Sequence, residues 1–203
     1  YPKSIDTYRL LGKAFLENQR YGDATDIFQR VLSSVPDDFI SHVGMSIIRE
    51  DEGNLTEAIW HMERAFEIQP SNNAIQGELR RLYGRRDGIE PPKVNLNRGA
   101  LARMYIKGNL HSQAIAELRM ALTEDPQRPD LQVLLAKAYL ETNQYSEAAE
   151  IANQILDKLP FCFEALRVLR EVSLSTQKVA DAQQYQKILG ELDPYSEHLS
   201  DLT

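Results

Sequence analysis

Proline recurs as Pro36, Pro70, Pro126, Pro160 and Pro194, and alanine stands twelve residues before each, at Ala24, Ala58, Ala114, Ala148 and Ala182. Three of the four intervals between these prolines are 34 residues, and the fourth, from Pro70 to Pro126, is 56. A period of this length marks an array of supersecondary units, none of which can bury a core alone. Stacked units share one continuous core and touch mainly their neighbours. The 203 residues therefore need not divide into globular domains. Pro2 lies one further period before Pro36, which predicts a chain cut from a longer array.

The first unit shows how the period folds. From Ile5 to Glu17, Tyr8, Leu11 and Phe15 fall at helical spacing on one stripe. Asn18-Gln19-Arg20 interrupts it, and Tyr21, Ala24, Ile27, Phe28 and Val31 form a second stripe. Pro36 ends the second helix, because proline disfavours helical geometry in the residue before it. Gly12 and Ala24 are small where two antiparallel helices would cross, and Phe28 fills the space beside them. Ser46 and Ala58 are the small pair of the second unit, whose turn carries Gly53 where a left-handed residue is expected. Ala102, Tyr105, Ala114 and Leu118, then Ala136, Tyr139, Ala148 and Ile155, rebuild the pattern. In the last unit Arg170 replaces a small residue and Gln186 a large apolar one. A more polar outer unit suits a terminal repeat.

This pattern resembles the tetratricopeptide repeat (TPR) family. Its 34-residue consensus has a small residue eighth, an aromatic eleventh, alanine at positions 20 and 27, and proline at 32. The resemblance implies an all-α fold, a right-handed superhelical α-solenoid of antiparallel helix pairs, with about five units and one unpaired helix. The departures are Arg49 and Ser173 at the aromatic position and one extra residue between Gly108 and Ala114.

The interruption sets the expected organisation. Residues 73–86 hold Leu79, Leu82 and Tyr83, matching a first helix whose partner is missing. Gly88 and the pair Pro91-Pro92 forbid helix continuation. The chain is thus expected to comprise an N-terminal sub-array, 1–86, with units 5–38 and 39–72 and the unpaired helix 73–86. A Gly/Pro link, 87–94, follows, serving as a hinge or as an ordered bridge. The C-terminal sub-array, 95–203, holds units 95–128, 129–162 and 163–196, then a tail.

Catalysis finds no support. The histidines at 42, 61, 111 and 198 lack metal-ligand spacing, and neither a phosphate loop nor a nucleophile motif occurs. No metal and no cofactor are expected. The single cysteine, Cys162, flanked by Phe161 and Phe163, reads as a small packing residue. A lone cysteine cannot form an internal disulfide, which points to a reducing compartment and a cytoplasmic location. No run of about 18 apolar residues is present, so no membrane insertion is expected. Asp37-Asp38 and Asp51-Glu52 read as turn and cap residues.

The net charge of −7 argues against nucleic-acid binding, which needs a broad basic face. Between Arg80 and Lys107, however, eight basic residues face only Asp87 and Glu90, giving +6. One reading is a solvated face with ion pairs to acidic neighbours. The sharper reading uses the geometry the resemblance implies, in which the second, fifth, ninth and twelfth positions of each first helix line a concave groove. Arg81, Arg103 and Lys137 would be consecutive rungs at the ninth position, with Arg85 and Lys107 close by. Ile40, Val43, Leu96, Ile106, Val133 and Leu140 would supply apolar contacts around them. Consecutive cations focus positive potential and grip carboxylates, so the expected ligand is a peptide segment bearing acidic groups. The two-carboxylate clamp of the chaperone-binding subfamily is absent, because Lys13 faces Val43, Gly44 and Ile47 rather than asparagines.

The expected function is therefore a non-catalytic protein–protein interaction scaffold or adaptor. Two alternatives come from other classes. One is self-assembly as a homo-oligomer through the array ends or through an apolar stripe exposed on helix 73–86. The other is an accessory repeat region of a longer enzyme or regulator.

Overall fold

The computed structural model describes residues 4–194; Pro2, His198 and the expected tail lie outside the described residues. Eleven α-helices and no strands occur among them. The first five are α1 (Ile5–Glu17), α2 (Tyr21–Ser34), α3 (Phe39–Asp51), α4 (Leu55–Ile68) and α5 (Asn73–Asp87). After residues 88–97 come α6 (Arg98–Lys107), α7 (His111–Glu124), α8 (Pro129–Glu141), α9 (Tyr145–Lys158), α10 (Phe163–Ser175) and α11 (Val179–Leu192). Five hairpins form, α1 with α2, α3 with α4, α6 with α7, α8 with α9 and α10 with α11, and each packs on the next as in an α-solenoid.

Every hairpin reverses through one left-handed residue. It is Gln19, Gly53, Asn109, Asn143 or Gln177, with φ between 57° and 79°, and only Gly53 adopts it without a steric penalty from Cβ. Inside the hairpins the small positions are in contact: Ser46 Oγ donates to Ala58 O across 2.8 Å. The departures of the last unit answer each other, since Arg170 Nη1 donates to Gln186 Oε1 at 2.7 Å. Arg49, at the aromatic position, instead ties its own hairpin together through Glu52 and Glu57.

Phe28 is the wedge of the first stack. A methyl at Gly12 of α1 would lie 2.6 Å from its ring, and one at Gly44 of α3 closer still. Two successive first helices thus need glycine where they meet one phenylalanine that is 1% exposed.

The expectation of an exposed stripe on the unpaired helix is overturned. Ile75, Leu79 and Leu82 of α5 are buried against Ile59, Met62 and Phe66 of α4. The turn after α5 then holds the link in place. Gly88, at φ 81°, ends the helix, Arg80 Nε donates to Pro91 O at 2.9 Å, and Arg80 pairs with Glu90 at 2.7 Å. Glu90 lies so close to Gly84 that a Cβ there would sit 3.1–3.3 Å from it. Val94 joins the core under α4, and α6 docks on α4 itself through Ala100.

The link brings the second set of hairpins back across the first. Glu67, at the end of α4 and 1% exposed, accepts from Arg128 Nη2 at 2.6 Å and from Asn97 Nδ2 at 2.8 Å. Arg128 in turn holds Asp130 through two bonds of 2.7 and 2.8 Å. Burial pulls the Asp130 carboxyl upward, but the Arg128 hydrogen bonds and charge outweigh it and hold it below the usual range. At the far end Phe163, Leu166, Leu189 and Leu192 pack with Ile5 and Val35. The last hairpin therefore meets the first, and the solenoid closes on itself.

A histidine pair lies beside this junction. His42 Nε2 is 3.0 Å from Pro36 O, and its Nδ1 is 3.0 Å from His61 Nδ1. A carbonyl only accepts, so His42 Nε2 carries the proton and His42 Nδ1 accepts one from His61. The His42 ring is thereby neutral. Burial is the main cause lowering both histidines, and for His61 the His42, Arg49 and Arg64 charges add to it, bringing it down to about 3. Unfolded histidine takes up its proton near 6.5, so unfolding absorbs protons below that pH and stability falls with pH. Between pH 7 and pH 5, His61 alone is expected to remove about 2 kcal/mol, with His42 acting in the same direction. Asp130 joins only below about pH 4. Urea unfolding at pH 7, 6 and 5 checks this, and a flat profile, or one that His61→Gln leaves unchanged, contradicts it.

Candidate functional site

The basic run from Arg80 to Lys107 is largely matched by carboxylates of this same chain. Arg81 reaches Glu50 at 2.6 Å and Glu78 at 2.8 Å, and Arg85 pairs with the same Glu50. Arg86 pairs with Asp87, and Arg98 with Glu117 and Glu124. Hydrogen bonds from Arg81 are the largest cause holding the Glu50 carboxyl below its ordinary value. Arg103 is drawn into the seam, its side chain 11% exposed and its Nη1 on Asp37 of the α2–α3 turn at 3.1 Å. Lys137 pairs with Glu164. Lys107 is exposed and makes no ion pair among the described residues. The structure thus brings Arg81 and Arg85 together on Glu50 and gives Arg103 and Lys137 carboxylates elsewhere.

The apolar candidates separate in the same way. Val133 is 1% exposed and belongs to the core. Val43 is half-buried against Phe39 and the α4 cluster, while Ile40 and Leu96 are exposed. Ile106 and Leu140 line an open cleft together with Lys137.

That cleft, of about 500 Å³, runs along α6, α8 and α10, the first helices of the last three hairpins. Leu134 and Val168 complete its apolar floor beside Ile106 and Leu140, and Asn109 and His111 close one end. Its rim carries both signs: Lys137 and Arg167 against Glu141, Glu164 and Glu171. Glu164, in the first turn of α10, holds Lys137 and also Arg167, the latter at 2.7 Å. Burial pushes its carboxyl up, but the two cations outweigh that and keep it low, so it stays ionised at neutral pH. Glu171 is engaged by Arg170 at 2.6 Å. Glu141 is exposed and makes no ion pair among the described residues. The cleft offers an apolar floor between charges that, Glu141 apart, are paired, and any positive potential is local.

Glu164 and Arg167 were not singled out in the sequence, although they fall at the second and fifth positions of the unit beginning at Phe163. The inward-facing rule, applied to that unit, finds both. No group of three or more His, Cys, Asp or Glu residues is placed to hold a metal among the described residues. Cys162 is buried, and burial raises its thiol to about 11. No helix among the described residues is long and apolar enough to cross a membrane.

Two family models, both described as tetratricopeptide repeat, match residues 9–73 and 105–172. No curated protein matches the chain. Among solved structures it is similar to PilW, a widely conserved type IV pilus biogenesis factor, at 18% identity, covering 98% of this chain and 97% of that one, with a TM-score of 0.47. It is similar to MamA of AMB-1 at 16% identity, with 92% and 97% covered and a TM-score of 0.45. Pseudomonas aeruginosa pilF is 15% identical, with 93% and 76% covered and a TM-score of 0.40.

Proposed function

The chain belongs to the tetratricopeptide repeat family, and on that premise we propose that it is a non-catalytic scaffold holding an extended peptide of a partner protein in the α6–α8–α10 cleft. The observation that carries this reading is the cleft's make-up: an apolar floor of Ile106, Leu134, Leu140 and Val168 under a rim of both charges. Surface pairs in water contribute little, and the cations at the rim already have partners. Affinity therefore comes from apolar side chains of the peptide, and the rim sets its orientation. An acidic peptide gains only by displacing Glu164 from Lys137 or Arg167.

Peptides selected from a random phage-displayed library test this. Leu140→Ala is expected to weaken the selected peptides about tenfold, or about 1.4 kcal/mol. Lys137→Ala changes their affinity by less than about threefold, and added salt has little effect. Loss on Lys137→Ala with Leu140→Ala unaffected points instead to an acidic ligand on the cations. Charge reversal at Arg103 is unsuited to this test, because a carboxylate there faces Asp37 across the seam and disturbs closure rather than binding.

A further inference from the structure

A second recess lies on the seam itself, away from the peptide cleft, and exists only because the chain closes. One wall comes from Ile5 and Tyr8 of α1 and Val31 of α2; the other comes from Phe161, Phe163 and Leu192 at the opposite end of the array. Its volume is about 210 Å³, below the range of drug-sized ligand sites and near that of a cavity that holds one aromatic ring. A folded partner or a long acyl chain is too large for it.

The polar side chains at this recess are few. Arg30 lines it, is exposed, and makes no ion pair or hydrogen bond through its guanidinium among the described residues. It differs in this from the arginines of the link and the seam, each of which reaches a carboxylate. The Tyr8 and Ser34 hydroxyls also line the recess without a partner there, while Ser33 Oγ donates to Arg30 O at 2.8 Å. An apolar floor for a single ring or branched alkyl group thus lies beside a free guanidinium, the planar donor that best matches a carboxylate.

We propose that the seam recess binds a small monocarboxylate whose apolar body is about the size of a phenylalanyl side chain, with the carboxylate on Arg30. The same chemistry is presented by the C-terminal residue of a peptide, whose chain would leave on the Arg30 side of the recess. The volume matches the free acid alone, and the peptide arm of the experiment separates the two sources. Because the walls belong to the first and last hairpins, the ligand bridges them, and occupancy raises the melting temperature of the whole chain in proportion to the logarithm of ligand excess.

Isothermal titration of the full chain with 3-phenylpropionate, 3-phenylpropanamide and acetyl-Gly-Gly-Phe tests the assignment. The acid is expected to bind saturably, at least about tenfold more tightly than the neutral amide. Arg30→Ala, an exposed substitution that leaves the fold intact, should remove that advantage and leave amide binding unchanged. Ser34→Phe fills the recess and should abolish binding of both, with circular dichroism confirming that the helices persist. Absence of saturable binding by the acid, equal affinity for acid and amide, or unchanged affinity in Arg30→Ala overturns the proposal. Tighter binding of the peptide than of the free acid overturns the small-molecule assignment in favour of a peptide C terminus.

Discussion

Replacing Arg128 with methionine is expected to cost about 3–5 kcal/mol of stability, the usual effect of removing one partner from a buried charge pair. The substitution keeps most of the side-chain volume, so the loss arises from the carboxylates left behind. Glu67 and Asp130 are 1% and 3% exposed, and both take their shortest charged contacts from Arg128. Asn97 still donates to Glu67 and Arg64 still lies 3.6 Å from it, but neither a neutral amide nor a longer ion pair replaces the 2.6 Å guanidinium bond in an interior of low dielectric. Adding Glu67→Gln to Arg128→Met should restore part of the loss, since a buried charge that has lost its shortest ion pair is removed. The double variant is thus less destabilised than the sum of the two. Urea unfolding followed by circular dichroism and by the fluorescence of Trp60, four residues from Arg64 on α4, measures both. A loss below about 1 kcal/mol for Arg128→Met means that the ion pair is hydrated and the seam is looser than the geometry implies.

The second large effect is expected at Phe28, where truncation to alanine should cost about 3–5 kcal/mol. The ring fills the space between α1 and α3, and the facing residues, Gly12 and Gly44, have no side chain with which to fill it. The same geometry makes Gly44→Ala costly in the wild-type background, about 1–3 kcal/mol from overpacking against a ring that has no free volume behind it. In Phe28→Leu the cost of Gly44→Ala should shrink, giving a coupling of about 0.5–3 kcal/mol between the two positions. Additive losses mean that the helices separate to admit the methyl instead of pressing on the ring. Thermal unfolding of the four proteins in one buffer separates these outcomes.

Much of the fold was legible because it is local. The spacing of Ala24 to Pro36 and its recurrences predicts the hairpins, and the small pairs Gly12 with Ala24 and Ser46 with Ala58 predict where they touch. Even the worn last unit was readable as polar, although the bond between Arg170 and Gln186 was not. What sequence could not reveal depends on where the chain goes after Gly88. Glu67 and Arg128 are 61 residues apart, and nothing in either segment marks the other as its partner. The path of residues 88–97 decides that α6 lands on α4, and with it that Arg103 meets Asp37 and not an incoming ligand. Val133 entered the groove expectation on helical position alone; it is buried in the core with Leu131 and Leu135, while Leu134 of the same turn reaches the cleft. Ion pairs to acidic neighbours were one reading of the basic run, and Glu78, Asp87 and Glu90 lie near it in sequence; that Glu50, Asp37, Glu117 and Glu124 are the other partners becomes visible only in three dimensions.

Closure of the array also orders events in time. Helical hairpins form from neighbours within microseconds, and a stack of them can zip from any starting point. The seam cannot take part in that zipping, because Ile5 and Leu192, which face each other across it, lie at opposite ends of the described chain. Bringing such distant residues together must await the hairpins between them, and such non-local contacts slow a folding reaction. Among the described helices the seam can be sealed only after α11 has left the ribosome. Until that moment Ile5 and Val35 lack the apolar side chains of α10 and α11 that cover them in the folded array.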